Sequence, residues 1–543
     1  MGYLNLLLSS RFGVVFFWLA VFLVVFNILK WLFIKKGKAL IKFLFSLIVS
    51  IGEGVKNNRY IQNFFGRHPV LAEFLKQRFD WTKFNGLTLT VLVFLLGYAG
   101  MAFIVTAVAV FVTGNALSVD LSLGNLLHAF RNPLLVKILL WVTLLGNFYV
   151  VAPTILVILV LFWLWNKKIY IVPFLISVGG SFFVGTVAKY IWHRPRPMEV
   201  AVYIEKSASF PSLHAVLAVS LYGFLAYFFW KYFKKWKNKI NALFFGFLII
   251  IFIGFSRLYL GVHYLTDVWA GYMIGLFWLV AAIGLIESKN ITLFSSDTYT
   301  DVKSRRLKII TAILLGLLLA IYVGKGLRYK PLFNFGGEEE SFQQVQESRA
   351  GEIFADYKLP KFTETLLGNP QEPISFVVVA ENDDHLIKSF QRANWFLAEN
   401  ANFHFLATAF KSIVLNKPYP TAPMTPYFWQ TYTNDFGFQQ PTEANSVRYR
   451  HHARFWRTNF KTPEGKSIYV GITSLDTGVK WWGITHKIDP DIDSERDYLF
   501  DTLSKAKVAS FYEKRQFVDP VLGKNFTGDQ FFTDGKVYII YLE

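Results

Sequence analysis

The chain contains no cysteine. A disulfide, a thiolate nucleophile and a cysteine-ligated zinc are therefore excluded, whichever compartment the chain occupies. Any nucleophile must be Ser, Thr, His, Lys or a carboxylate. Acidic side chains are scarce over one part of the chain: residues 1–330 hold 10 Asp and Glu against 34 Lys and Arg, a net +24, whereas residues 331–543 hold 27 against 22, a net −5. Such a split reports membrane topology rather than nucleic-acid binding, because Lys and Arg collect in short cytoplasmic loops between spans. Nucleic acid would need a contiguous basic face on a soluble domain, and the acidic part offers none.

What is abundant agrees. Of 543 residues, 53% are hydrophobic and 18% aromatic, and the mean hydropathy is +0.36. A wholly disordered or wholly soluble protein is thereby ruled out. A bilayer core about 30 Å thick needs about 20 apolar helical residues, and runs near that length recur at Phe12–Leu29, Leu87–Val112, Val150–Trp165, Ile169–Ala188, Ala215–Trp230, Ile240–Phe255, Val268–Ile286 and Ile309–Val323. The first is too long, and too poorly followed by a small-residue cleavage site, for a signal peptide, and reads as a retained anchor. Ala39–Val55 is short and contains Lys42, so an interfacial helix is expected there.

Loop charge sets the expected orientation. Lys167 and Lys168, the lysines between Lys231 and Lys239, and Lys303, Arg305, Arg306 and Lys308 fall on one face, which should be cytoplasmic. The segments Thr113–Pro133 and Arg194–Pro211 then face the other side, as does the amino terminus.

Beyond the last run, residues 331–351 are polar, include GGEEES at Gly336–Ser341, and read as a linker. The remainder, residues 352–543, reads as a soluble α+β domain. Ser375–Ala380, Ser467–Thr473 and Lys536–Leu542 are predicted strands, Asp383–Glu399 is a predicted helix, and Ser494-Glu-Arg-Asp497 has the form of a capping box opening a helix through Leu503.

Ionisable groups at span ends cost enough to need a reason, and three clusters occur there. Lys189 ends one span, with Arg196-Pro197 seven residues on; Phe210-Pro211-Ser212-Leu213-His214 opens the next; Ser256-Arg257 ends another, followed by His263 and Asp267. The inferred topology brings all three to the outer boundary. Three cations, two imidazoles and a carboxylate suit phosphoryl transfer, whose transition state spreads negative charge over equatorial oxygens. Arg196 and Arg257 offer bidentate contacts, Lys189 a point charge, and Ser212 a helix N-terminus that favours an anion. His263 and Asp267, at i and i+4, pair so that one ring nitrogen stays free, which nominates His263 as nucleophile and leaves His214 as general acid.

These residues carry a resemblance. Lys189-x6-Arg196-Pro197, Pro211-Ser212-Leu213-His214 and Ser256-Arg257-x5-His263-x3-Asp267 resemble the three-part signature of the type 2 phosphatidic acid phosphatase family, over about Leu87–Ile286. The resemblance implies an all-α polytopic membrane domain with a six-helix phosphatase core plus flanking helices, no metal or other cofactor, a phosphohistidine intermediate, and a lipid phosphate or diphosphate as substrate. By position it assigns Lys189, Arg196, Ser212 and Arg257 to phosphate, His214 to acid catalysis, His263 to nucleophilic attack and Asp267 to its support.

The implied organisation is an anchor and interfacial or cytoplasmic segment (1–86), the phosphatase core (87–290), a cytoplasmic loop with the last span (291–330), the linker and the soluble domain. The expected location is a bacterial inner membrane, with the active site and carboxyl-terminal domain periplasmic.

Leu213 departs from the family's usual Gly, which should project a side chain beside the phosphate cradle. Some lipid phosphotransferases of the superfamily share Pro-Ser-Leu-His, so an alcohol acceptor is one alternative; a transporter or scramblase with a vestigial site is another.

The carboxyl-terminal region, especially Arg450–Arg457 and Asp489–Asp497, resembles the LssY C-terminal domain, which often follows a phosphatase domain and leaves room for an envelope partner. His451, His452 and His486 with Asp489, Asp491 and Asp493 suggest a metal, but Ser494 and Phe500 break the EF-hand pattern, and a solvated turn before a capped helix is expected instead. Trp481-Trp482 reads as core packing, and His193 and Arg194 as loop residues without a role.

Overall fold

The computed structural model describes residues 12–80, 83–113, 117–288, 301–329, 331, 342–399, 412, 418–446, 448–480 and 485–543. The GGEEES stretch and the Trp481-Trp482 pair lie outside these residues. The described residues form two compact units, one within residues 20–117 and 133–334, the other of residues 12–19, 118–132 and those from 342 onward.

The first unit is helical. Among the described residues, six helices are long and apolar enough to cross a membrane: Phe84–Val112, Lys168–Trp192, Leu213–Tyr232, Trp236–Tyr259, Leu265–Ser288 and Arg305–Arg328. Pro133–Leu144 and Phe148–Leu164, bent by 41° at a short break, make a seventh if they form one span. Asn147 sits in the break and its side chain accepts from Tyr149 N, capping the second piece.

The amino-terminal part departs from expectation. The anchor over Phe12–Leu29 and the interfacial helix over Ala39–Val55 are one continuous helix, Phe12–Asn57. No proline interrupts Lys30–Lys38, and two of its lysines shelter over aromatic faces, Lys35 on Trp31 and Lys38 on Trp236. At about 1.5 Å per residue, the helix outruns a bilayer core. Its Phe26 packs on Phe244 and Phe247 of Trp236–Tyr259.

Small residues let two helices meet where the site is built. A Cβ at Gly271 would stand 2.6 Å from Ser212 O, and one at Gly275 2.7 Å from Val216 O. Glycines four apart on Leu265–Ser288 therefore bring that backbone directly against the start of Leu213–Tyr232. Ser212 N donates to Asp267 O at 3.0 Å across the same contact.

The second unit is the expected α+β domain. Its mixed nine-stranded sheet runs Ala509–Gln516, Lys536–Leu542, Phe376–Ala380, Ser467–Lys480, Tyr449–Lys461, Phe436–Ser446, Phe396–Leu397, with Gln343–Gln344 and Thr485–Ile488 off this path. Phe376–Ala380 is buried at every residue, as a strand covered on both faces must be. On one face Leu386 and Phe390 of helix Asp383–Arg392 and Leu499 and Leu503 of helix Ile492–Lys505 join the core; on the other lie Ile353, Phe354, Tyr427 and Trp429.

The helix expected to open at Ser494 begins at Ile492 instead. Asp491 is its cap, accepting from Ser494 N at 3.0 Å. Helix Ser118–Ala129, from the loop after Phe84–Val112, belongs to this unit, and Asn125 Nδ2 donates to Thr431 O at 3.0 Å.

Candidate active site

Helix Lys168–Trp192 ends at His193, whose backbone turns left-handed (φ 42°) and sends Arg194-Pro-Arg196-Pro197 back across the helix ends. Prolines on either side of Arg196 hold this stretch extended, so Arg194 and Arg196 reach different partners. Arg196 Nε donates to Ser207 O at 2.7 Å, and its Nη1 donates to Val262 O at 2.5 Å and lies 3.2 Å from His263 Nε2. Lys189 Nζ donates to Ala208 O, which also accepts from Arg196 Nη2 at 3.4 Å. The first motif is thus tied both to the loop before the second and to the third.

The third motif surrounds a turn between Trp236–Tyr259 and Leu265–Ser288, with Gly261 at φ 66° allowing the reversal. His263 Nδ1 lies 3.3 Å from Asp267 Oδ2, and Tyr264 N donates to the same oxygen at 2.9 Å. With Nδ1–H directed at the carboxylate, Nε2 keeps its lone pair, a tautomer assigned from these partners. Burial, then the Arg196 and Arg257 cations, hold the imidazole well below its ordinary value, which favours the neutral ring.

Arg257 is fully buried. Its Nη1 donates to Thr143 Oγ1 at 2.8 Å and to the Tyr203 hydroxyl at 2.7 Å. Arg257 Nη2 and Arg196 Nη2 both meet Glu205, at 2.5 Å and 2.6 Å. Burial pushes Glu205 up, but Arg257 and Arg196 outweigh it and hold the carboxyl below the usual carboxylate range.

Ser212 is fully buried, and its hydroxyl has no hydrogen-bond partner among the described residues. His214, the second residue of its helix, lies against the Asn147 turn, where a Cβ on Gly146 would stand 3.1 Å from its Cδ2.

Of the seven residues singled out in the sequence, Arg196, Arg257, His263 and Asp267 form one connected network through Glu205. Lys189 joins it through Ala208, and Ser212 through its backbone contact with Asp267.

Residues 170–290 match the model of the PAP2 superfamily, and residues 357–537 that of the LssY C-terminus. Phosphatidylglycerophosphatase B of Bacillus subtilis (strain 168) is 31% identical over 176 residues, covering 32% of this chain and 86% of that protein. The chain belongs to the PAP2 superfamily.

Two crystal structures are also similar to this PAP2 chain. The first transmembrane PAP2-type phosphatidylglycerolphosphate phosphatase from Bacillus subtilis is 27% identical, covering 37% of this chain and 98% of that one, with a TM-score of 0.33. Aquifex aeolicus LpxE is 25% identical, covering 30% and 94%, with a TM-score of 0.24.

Two expectations for this PAP2 chain need correction. Arg194 is not an idle loop residue: it is fully buried, and its Nη1 donates to Asp267 Oδ1 at 2.6 Å and Thr266 Oγ1 at 2.8 Å while its guanidinium covers the Tyr264 ring. Nor is Leu213 an intruder at the cradle. Its side chain lies against Gly185, where a Cβ would stand 2.8 Å from Leu213 Cδ2. The larger residue at 213 is absorbed by a glycine on the neighbouring helix.

Sequence reasoning also missed Thr143, Tyr203 and Glu205. Glu205 left a signal: with Glu199 it is one of two acids in a loop that carries the cations Arg194, Arg196 and Lys206.

In the second unit, the side chains that suggested a metal turn to other partners. His451 pairs with Glu495 at 2.8 Å, and His452 and His486 both face Asp476, at 3.2 Å and 3.0 Å. Asp489 accepts from Asp491 N, and Asp493 accepts from Arg496 and Thr533.

Proposed function

We propose that this protein hydrolyses a lipid phosphate or diphosphate through a phosphohistidine at the extracytoplasmic face of a bacterial inner membrane. One observation carries the reading: two buried guanidiniums, Arg196 and Arg257, hold a single anionic group between them, and the neutral Nε2 of His263 lies 3.2 Å from one of them.

In this mechanism the guanidiniums take the phosphoryl oxygens, with Lys189 adding charge and the Ser212 hydroxyl a further donor. His263 Nε2 attacks phosphorus, the bond from phosphorus to the leaving oxygen breaks, and His214 gives that oxygen its proton. Asp267 stabilises the charge that develops on the His263 ring. Water, losing a proton to His214, then attacks the phosphohistidine, and inorganic phosphate leaves.

The sidedness rests on the basic loops, which fall together on the face opposite the Arg194–Pro211 loop. Helix Ser118–Ala129 adds support. It folds with the carboxyl-terminal domain, and that domain shares a side with the loop after Phe84–Val112 when Pro133–Leu144 and Phe148–Leu164 count as one span, which makes seven crossings from Phe84–Val112 onward.

The relatives' names make phosphatidylglycerol phosphate the first substrate to assay, beside phosphatidic acid, polyprenyl diphosphate and lipid A. His263→Ala should abolish turnover on whichever is accepted, and acid-labile phosphate should be trapped on wild type alone. Hydrolysis by the variant at the wild-type rate would reject the assignment.

A further inference from the structure

The cradle assigned to phosphate already contains an anion of the chain's own. Glu205 Oε2 lies 2.6 Å from Arg196 Nη2, and Oε1 lies 2.5 Å from Arg257 Nη2 and accepts from the Tyr203 hydroxyl at 3.1 Å. Arg257 Nη1 donates to that hydroxyl, closing a ring of hydrogen bonds around the carboxylate. Glu205 takes one nitrogen of each guanidinium, Arg196 Nη2 and Arg257 Nη2, from the pair that the proposed function gives to phosphoryl oxygens. The two arginine side chains are 4% and 1% exposed and Glu205 is 25% exposed, so the carboxylate is the member on the solvent side.

We propose that Glu205 is an internal counter-anion that closes the phosphate cradle in the resting protein and filters entrants by charge, admitting phosphate monoesters and diphosphates and rejecting phosphodiesters. The inference rests on the assignment of Arg196 and Arg257 to phosphate. An entering phosphodiester carries one negative charge. Exchanging it for a carboxylate leaves the charge facing the two guanidiniums unchanged, and the Tyr203 hydrogen bond is lost as well. A phosphate monoester carries about −1.5 to −2 at neutral pH, so its exchange gains attraction to both cations. For an enzyme bathed in phosphodiester headgroups the distinction matters, because bulk lipid would otherwise fill a preformed anion site. Glu205 is thus a specificity-determining residue that acts by competing with the substrate for its own donors.

The test uses the full-length protein in detergent, with inorganic phosphate as the multiply charged probe and diethyl phosphate as the singly charged one. Binding is read from the ligand-dependent rise of the melting temperature in wild type, Glu205→Gln and Glu205→Ala. A site that is open one tenth of the time loses tenfold in apparent affinity. Both variants should therefore bind inorganic phosphate about tenfold or more tightly than wild type and should acquire affinity for diethyl phosphate, which wild type rejects. Two variants are needed because the glutamine keeps the shape while the alanine removes the hydrogen bonds. Variants that melt cooperatively yet bind phosphate no better than wild type overturn the proposal, as does a wild type that binds both probes equally. If neither wild type nor variants bind inorganic phosphate, the cradle itself is misassigned, and the proposed function falls with it.

Discussion

Arg194 Nη1 donates to Asp267 Oδ1 at 2.6 Å, and neither side chain is exposed. The carboxylate that faces His263 through one oxygen is therefore anchored through the other. Asp267 is pinned by the chain segment of the first motif while it orients the imidazole of the third, so helix Lys168–Trp192 and the turn before Leu265–Ser288 share one electrostatic joint.

Breaking this joint should show in two ways. Removing one partner of a buried ion pair costs about 3–5 kcal/mol, so Arg194→Ala should lower the melting temperature sharply. Arg194→Lys should fold but lose about a hundredfold in kcat/KM, because misplacing the imidazole by about 1 Å is enough for that. Arg194→Gln, which removes the cation beside Asp267 altogether, leaves more negative potential at His263 and raises its pKa, so the acid limb of its pH profile should move to higher pH, which a purely structural role would not produce.

The wild-type profile follows from the His263 environment. Burial and the neighbouring cations hold its pKa well below the ordinary 6.5. The free enzyme keeps His263, the proposed nucleophile, neutral as pH falls through that value, so kcat/KM for lipid phosphate, once corrected for the substrate's own second ionisation at about pH 6, should stay level below pH 6.5 and fall only in more acid solution. An acid limb centred at or above 6.5 would contradict the assignment. The linkage sign is that of a group whose folded pKa is depressed: below about pH 6.5 the unfolded chain binds a proton that the native protein does not, and stability declines as pH falls.

Gly275→Ala should separate two helices. The new methyl group would stand 2.7 Å from both Val216 O and Val219 Cβ, and overpacking of this kind costs about 1–3 kcal/mol. The melting temperature in detergent should fall, and activity with it, because the same contact sets Ser212 against Asp267. Gly316→Ala, where nothing lies within 4 Å of the added carbon, is the control and should change neither.

In the carboxyl-terminal domain, burial works against the Asp534 carboxylate, but Arg496, 2.7 Å away, and the Lys536 backbone pull its pKa down to about 2. A depressed carboxylate adds stability that is present above its unfolded pKa of about 3.9 and is lost as pH falls toward 2. Asp534→Asn should therefore destabilise the domain at neutral pH and flatten its stability over the window from about pH 4 to 2, measured by near-ultraviolet circular dichroism of the full chain.

The seven residues picked from the sequence stand at the ends of apolar runs. A side chain in that position has only the membrane boundary to occupy, so parity alone places Lys189, His214 and His263 in one layer. Their new partners had no such marker. Thr143 meets Arg257 across 114 positions and Arg194 meets Asp267 across 73. Local pattern fails at short range too: Asp491 and Ser494 are both good caps, and only the backbone shows that helix geometry begins at Ile492.

Hydrophobic run length, a property of the chain taken a segment at a time, marked most of the apolar helices but not the joining of Phe12–Leu29 and Ala39–Val55 into one helix, and apolar runs marked three strands of the sheet domain. Tertiary structure alone decided that Leu213 rests on Gly185, that Arg194 braces Asp267, and that Glu205 lies between Arg196 and Arg257. Each of these depends on which helix ends approach one another and how closely, and that is set by side-chain volume and buried charge summed over neighbours far apart in the chain.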